Sequence, residues 1–226
     1  MSKGIISIYW GDQTRLPIER LKISIKKYHP ELEHVVIKLD EDPNKNINLD
    51  LKALMFDLSP FDETLFLDID TVVMGRLDFG FEMARQHKLA ISLCESPWAR
   101  RYTSLFQGDE IEYNTGVIFF NNDSKFIFDK WKSLSKTLDT SLVCCENGNV
   151  IKMPANDQGS FAMALNDLHF NPFILPYNWN FRPSSYRSFF GPIKIWHDYS
   201  DPPDGIHSLN QYYEKKDSVI QFHYLS

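Results

Sequence analysis

Cysteines, long apolar runs and basic residues are scarce in this sequence, and each shortage excludes a class of protein. The three cysteines, Cys94, Cys144 and Cys145, are odd in number, two are adjacent, and their spacing matches no zinc motif. We therefore expect no disulfide framework and predict reduced thiols in a cytoplasmic protein. No stretch reaches the roughly 18 apolar residues of a transmembrane helix. The apolar run within residues 1–10 is also shorter than a signal peptide requires.

Basic charge is scarce as well. The 24 lysines and arginines are outnumbered by 30 aspartates and glutamates, which gives a formal net charge of −6, and no long basic block interrupts this balance. Nucleic acid is not expected as a main partner, because contacts with a phosphate backbone need a basic face. An anionic small ligand can still bind where a metal ion supplies local positive charge.

Apolar residues make up 43% of the chain, which is enough to bury a full core. Apolar runs predict strands at 4–9, 34–39, 64–67, 89–93 and 117–120. Periodic stripes predict helices from Arg15 onward, over 49–58, over 124–138 and over 156–165. After Phe173 the chain is rich in proline and is predicted to be loop-like. This alternation predicts a single α/β domain, residues 1–226, with a mostly parallel central sheet flanked by helices.

Two carboxylates follow directly after the third predicted strand. Residues 64–67 are TLFL, and Asp68, Ile69 and Asp70 come next. On an extended chain, positions i and i+2 face the same side, so both carboxylates can point to one place at the ligand-binding edge of the sheet. Two adjacent carboxylates repel each other unless a cation lies between them, and a hard divalent ion is the natural occupant. The alternative is that one aspartate caps a turn and the other is solvated.

The run 59–70, SPFDETLFLDID, resembles the Asp-x-Asp region of GT-A-fold glycosyltransferases, and most of all that of family 8, the group of glycogenin and bacterial galactosyltransferases. Four further stretches match in the family's order: YNTGVIFF at 113–120, NDQ at 156–158, LPYNWN at 175–180 and IWH at 195–197. The resemblance extends from the first strand to about Pro203. It implies a GT-A (Rossmann-like) fold and a hexosyltransferase-like activity.

The resemblance also implies a metal site. Asp68, Asp70 and His197 would bind Mn²⁺ or Mg²⁺, although His197 alternatively has a structural role near a loop. The lysine that the family often carries after this histidine is missing, so the donor phosphates would depend more on the metal, or on Lys52, Arg182 or Arg187.

Further roles follow from the same resemblance. Asp157 and Gln158 would lie beside the donor sugar as catalytic residues, unless Asn156 or Asp157 serves only as a helix N-cap. The residues expected to bind the donor, in addition to Asp68, are Tyr9, Trp10, Asp12, Lys52, Asn114 and Thr115. For Lys52 an exposed position on a helix is the alternative. Trp179 and Asn180 would form part of an acceptor wall, against the alternative of a loop tryptophan packed on the core.

The function implied is transfer of a sugar from a nucleoside-diphosphate sugar, with UDP favoured, to an unidentified carbohydrate or glycoconjugate acceptor, with retention of configuration. Loops 96–111 and 181–190 are the expected acceptor region. Two alternatives stay open: a haloacid-dehalogenase-type phosphatase that uses Asp68 and Asp70, and a non-catalytic module that binds sugar nucleotides. A nucleotidyltransferase is disfavoured, because residues 9–12 offer one glycine and an acid where a glycine-rich, basic loop is needed.

Overall fold

A six-stranded sheet forms the centre of the computed structural model. The structure describes residues 1–11, 15–40, 49–94, 111–146, 148–153, 156–213 and 222–225. The strands are β1 Lys3–Tyr9, β2 Glu33–Lys38, β3 Glu63–Leu67, β4 Thr71–Val73, β5 Leu89–Leu93, β6 Tyr113–Asn121, β7 Leu142–Glu146, β8 Asn149–Met153, β9 Phe173–Leu175, β10 Ser188–Phe190, β11 Ile195–His197 and β12 Phe222–Tyr224. The helices are α1 Arg15–Tyr28, α2 Met55–Leu58, α3 Asp78–His87, α4 Lys125–Ser135, α5 Asp157–Asp167 and α6 Asp204–Tyr213.

The strand order of the main sheet is β2-β1-β3-β6-β5-β9. Five of these strands run in the same direction, and only β6 is antiparallel to its two neighbours. The predicted α/β class with a mostly parallel sheet is therefore confirmed. Because β6 is reversed, it begins at the edge of the sheet where β3 ends.

Each face of the main sheet carries its own apolar core, which explains why its central strands are continuously hydrophobic. Ile5 of β1 packs with Leu21 of α1 on one face. The next residue, Ile6, packs on the other face with Phe128 and Trp131 of α4. Successive residues of a strand point to opposite faces, so a strand covered on both sides reads as an unbroken apolar run.

A third, smaller core joins β4 to the C-terminal part of the chain. It contains Val72 and Met74 from the β4 region together with Phe181, Trp196 and Ile206. Strand β4 pairs antiparallel with β11, and β10 pairs with β12. The expectation of loop-like chain after Phe173 is therefore wrong in part, since this region contains α6 and three of these short strands.

Several predicted bounds also change. Residues 49–58 form a 3₁₀ segment, Leu49–Leu54, followed by the single turn of α2. The strand expected at 117–120 is the longer β6, and helix α3 and the β7–β8 hairpin were not predicted. Asp12 and residues 96–110 of the expected acceptor loop lie outside the described residues. Across the part of the chain that is described, no helix is long and apolar enough to cross a membrane.

Candidate metal and donor site

A tight turn, rather than an extended chain, brings the two aspartates together. Strand β3 ends at Leu67, and the Thr71 hydroxyl donates a hydrogen bond of 2.7 Å to the Asp68 carbonyl oxygen, which closes the turn before β4. The Asp68 N–H donates to the Gly116 carbonyl oxygen of β6 at 2.8 Å. The start of the reversed strand therefore fixes the position of Asp68.

Pairing of β4 with β11 places His197 opposite Thr71, directly after the turn. The His197 ring is 2% exposed. Its Nε2 atom lies 3.3 Å from Asp70 Oδ1 and 3.8 Å from Asp68 Oδ2. On the other side of the ring, Nδ1 lies 2.7 Å from Asn180 Oδ1. When Nδ1–H donates to this oxygen and Nε2 carries no proton, as in a metal-bound histidine, the Nε2 lone pair is directed toward the carboxylates.

This arrangement fits a divalent cation. One ligand atom each from Asp68, Asp70 and His197 lies within 4.8 Å of the others, and two carboxylates with an imidazole suit Mn²⁺ or Mg²⁺. The hydrogen bond from His197 Nδ1 to Asn180 Oδ1 is an outer contact of the kind that metal-bound histidines commonly make. Gly116 leaves the room for it, since a Cβ there would lie 2.3 Å from His197 Cε1 and 2.8 Å from Asp68 Oδ2.

A second trio with metal-ligand chemistry has a structural explanation. His29, Glu31 and Asp78 also offer ligand atoms within 4.8 Å of one another. Arg76 already supplies the positive charge there, with contacts of 2.8 Å to both carboxylates. His29 Nε2 accepts the Leu77 N–H at 2.9 Å, so this lone pair is used within the fold.

Lys52 connects the aspartate pair to Asp157. Its ammonium lies 2.9 Å from Asp68 Oδ2 and 3.3 Å from Asp157 Oδ2, and the residue is only 6% exposed. The alternative of an exposed helix lysine is therefore wrong. Burial opposes the charged form of Lys52, but the charges of Asp157 and Asp68 outweigh burial and raise its pKa. The Thr115 hydroxyl donates to the same Asp157 oxygen.

The two aspartates differ in their electrostatics. Burial raises the pKa of Asp68, and the nearby Asp70 charge adds to this effect while Lys52 opposes it. Burial also acts to raise the pKa of Asp70, but the His197 and Lys52 charges outweigh it and lower that pKa to about 2. Asp70 is therefore an anion at neutral pH. A cation between the two carboxylates favours the ionised form of both.

Asn156 caps helix α5, which leaves the Asp157 carboxylate available to the site. The Asn156 side chain accepts the Gln158 N–H at 2.8 Å, as an N-cap residue does. Asp157 is the first residue of the helix, and its carboxylate contacts Thr115 and Lys52 instead of the backbone. The Gln158 amide donates to Cys94 Sγ at 3.3 Å.

A cleft of about 220 Å³ opens beside the aspartates. Tyr9 and Trp10, at the carboxyl end of β1, line one part of it. Tyr199, which was not predicted, lines it as well and is 72% exposed. Partial burial raises the pKa of its phenol, and the charges of Asp70 and Asp68 raise it further.

The remaining predicted residues occupy varied positions. The Asn114 side chain accepts the Gly116 N–H at 3.0 Å, next to the site. Trp179 is 6% exposed and packs against Phe119 in the core, which is the alternative position considered for it. Asn180 is buried against the metal-site histidine. An acceptor role for Trp179 and Asn180 stays a prediction.

Two arginines considered for the donor phosphates lie apart from each other. Arg182 Nη1 is 3.4 Å from His197 Nε2, at the rim of the metal site. Arg187 lines a different cavity of about 430 Å³, between the β10–β12 ribbon and α6. Of the two, Arg182 is the one that reaches the candidate site, through its contact with His197.

The sequence matches no family model and no curated protein. Solved structures do resemble the fold. The galactosyltransferase LgtC, in complex with donor and acceptor sugar analogs, is 14% identical with a TM-score of 0.56 over 87% of each chain. Mouse xyloside xylosyltransferase 1 is 11% identical with a TM-score of 0.57, over 90% of this chain and 99% of the other.

The glycosyltransferase GlyE of Streptococcus pneumoniae TIGR4 is 17% identical with a TM-score of 0.52. The alignment covers 98% of this chain, which spans 58% of the length of GlyE. At these identities the likeness concerns architecture. The chain has the α/β fold of the GT-A glycosyltransferases.

Proposed function

We propose that the protein is a metal-dependent glycosyltransferase that uses a nucleoside-diphosphate sugar, with UDP-sugars favoured, and a carbohydrate or glycoconjugate acceptor. One observation carries this proposal. Asp68, Asp70 and His197, which are 129 residues apart in sequence at their extremes, converge within 4.8 Å beside an aromatic-lined cleft in a GT-A fold.

The metal would be held by Asp68 Oδ2, Asp70 Oδ1 and His197 Nε2. When bound, Mn²⁺ or Mg²⁺ supplies positive charge that stabilises the leaving nucleoside diphosphate. The imidazole in the ligand set favours Mn²⁺ slightly over Mg²⁺. Lys52 keeps a second, fixed positive charge next to Asp68, and a preorganised charge of this kind needs no rearrangement during reaction.

The other side chains would orient the donor. Tyr9 and Trp10 offer aromatic faces for the base and ribose at the end of β1. Thr115 and Lys52 hold the Asp157 carboxylate in place. Asp157 would then face the donor sugar, with Gln158 beside it at the start of α5.

In the reaction, the bond between the anomeric carbon and the diphosphate oxygen breaks, and its electron pair leaves with the diphosphate. The acceptor hydroxyl oxygen bonds to the anomeric carbon, and its proton passes to the departing diphosphate. The Asp157 carboxylate would stabilise the positive charge that develops on the sugar. Attack on the face that the diphosphate leaves would retain the configuration, as the family resemblance implies.

Calorimetric titration of UDP tests the proposal. We expect micromolar binding in Mn²⁺ that is lost in EDTA and in Asp70→Asn. Asp129→Asn is the matched control, because Asp129 lies on the exposed side of α4 and contacts only surface lysines among the described residues. If UDP, GDP and TDP all fail to bind wild-type protein in Mn²⁺, the proposal is wrong, and phosphatase assays on Asp68→Asn become the next measurement.

A further inference from the structure

Arg20 of helix α1 contacts the backbone around the candidate metal ligands. Its Nη2 donates to the Asp70 carbonyl oxygen at 3.2 Å and to the Asp198 carbonyl oxygen at 2.5 Å. Its Nη1 donates to the Tyr199 carbonyl oxygen at 2.7 Å and to Asp201 Oδ1 at 3.3 Å. One side chain therefore holds the backbone of one candidate ligand and of the two residues that follow another.

These hydrogen bonds connect the two segments that carry the candidate ligands. The Asp198 N–H also donates to the Asp70 carbonyl oxygen at 3.0 Å, so the chain after His197 is tied to the aspartate turn twice, directly and through Arg20. The forked guanidinium reaches both segments at once. A lysine, with one nitrogen on a flexible stem, cannot reproduce this geometry in full.

Helix α1 is anchored in the fold and therefore holds Arg20 in a fixed position. One turn after Arg20, the Ser24 hydroxyl accepts the Val73 N–H of β4 at 3.0 Å. Leu21 and Ile25 anchor the same helix in the sheet core. The segment that carries Asp70 is thus held at two points along one helix, whose inner face is buried in the sheet core.

Tyr199 is the side chain that this arrangement presents to the cleft. Arg20 fixes its backbone, while its ring is 72% exposed and lines the cleft together with Asp68 and Asp70. A phenol that lines the cleft together with these carboxylates offers a hydrogen-bond donor next to the candidate metal ligands.

We propose that Arg20 is a positioning residue, which sets the spacing of Asp70 and His197 and holds Tyr199 at the cleft, and that the Tyr199 hydroxyl binds the donor's diphosphate. This inference rests on the proposed function. It adds one positioning residue and one donor-binding residue that no motif in the sequence indicated.

Two titrations separate these roles from simple stabilisation. Mn²⁺ is titrated into the protein without nucleotide, and UDP is titrated at saturating Mn²⁺. We expect Arg20→Met to weaken Mn²⁺ binding at least 10-fold and Arg20→Lys to restore part of this loss, by analogy with other outer contacts of metal ligands. Tyr199→Phe should leave Mn²⁺ binding within about twofold and weaken UDP binding about 10-fold, because a hydrogen bond to a charged group is lost.

Arg85→Met is the matched control for Arg20. Arg85 also joins a helix to the sheet, by contacts of 2.6 and 2.8 Å from α3 to the Glu63 carboxylate of β3, but outside the metal site. Its loss should lower the melting temperature and leave Mn²⁺ affinity within about twofold. All titrations are run well below the lowest melting temperature of the set.

The outcomes distinguish failure of the roles assigned to Arg20 and Tyr199 from failure of the proposed function. If Arg20→Met does not fold, Arg20→Lys carries the test, and wild-type Mn²⁺ affinity in the folded Arg20 variants overturns the positioning role. Wild-type UDP affinity in Tyr199→Phe overturns the donor contact. If the wild-type protein binds neither Mn²⁺ nor any nucleoside diphosphate, the proposed function is wrong, and this inference fails with it.

Discussion

Gly116→Ala should disable the proposed metal site while leaving the backbone unstrained. Gly116 lies inside strand β6 and is not among the glycines with positive φ, so alanine suits its conformation. The new Cβ would lie 2.3 Å from His197 Cε1, which is roughly 1 Å closer than ordinary van der Waals contact allows. The ring must therefore move, and its bond of 2.7 Å to Asn180 would be stretched or broken.

The expected magnitude follows from this displacement. Metal–ligand distances tolerate deviations of only about 0.2 Å, so a histidine displaced by about 1 Å no longer acts as a ligand. Losing even an outer contact of a ligand costs about 10–100-fold in metal affinity, which equals about 1.4–2.7 kcal/mol. Gly116→Ala should weaken Mn²⁺ binding by at least this factor. Crowding should lower the free energy of unfolding by about 1–3 kcal/mol.

Calorimetric titration of Mn²⁺, paired with urea unfolding, measures both effects. Gly4→Ala is the control, because Gly4 is also a strand glycine and its new Cβ would lie 2.3 Å from Phe61, away from the site. We expect Gly4→Ala to be destabilised but to bind Mn²⁺ like the wild type. If Gly116→Ala also binds Mn²⁺ like the wild type, His197 is not a metal ligand.

Two further predictions concern stability and pH. Lys52→Met leaves Asp68 and Asp157 without the cation that lies between them. The free energy of unfolding at pH 7 should therefore fall by about 3 kcal/mol. The loss should be smaller at pH 5, where a carboxylate can be protonated. Burial, and then the charge of Lys22, lower the pKa of His34 to about 4. Between pH 6.5 and 4 the unfolded chain therefore binds a proton at His34 that the folded state does not bind, and stability should fall by about 3 kcal/mol as pH drops through this window. His34→Gln should flatten that part of the profile.

Urea unfolding at several pH values checks both. For Lys52, the control is Lys130→Met, which removes a surface ion pair with Asp167 and should change stability by less than about 1 kcal/mol. A Lys52→Met protein as stable as the wild type at pH 7 would contradict the bridging role. For His34, an unchanged loss of stability between pH 6.5 and 4.5 in His34→Gln would assign the proton uptake to another group.

The parts of the fold that the sequence predicted are those where local pattern and tertiary environment agree. Strands β1 and β3 are covered on both faces, so apolar residues occupy successive positions along them instead of alternating with polar ones. The aspartate pair was predicted because it directly follows such a run. Its approach to His197 was predicted from the family resemblance alone, since Asp70 and His197 are 127 positions apart in the sequence and come together through the pairing of β4 with β11.

The missed elements owe their structure to distant contacts. Helix α6 follows two prolines and contains Gly205, so its local pattern is weak. It is held by Ile206 in the third core and by Asn210, whose side chain bonds the backbone of Ile193 and Met74. Arg20 was missed because most of its acceptors are carbonyl oxygens, and a carbonyl oxygen belongs to every residue and leaves no mark in a sequence.

The short turn between β3 and β4 also connects the main sheet to the C-terminal core. Asp68 directly follows β3 of the main sheet, whereas Asp70 leads into β4, which contributes Val72 to the C-terminal core and Val73 to a core of the main sheet. The main sheet is complete by Leu175, so a chain ending there would keep all six of its strands and both aspartates but lose the histidine. A cation bound by Asp68, Asp70 and His197 would therefore add a direct link between the end of β3 in the main sheet and the β4–β11 pair.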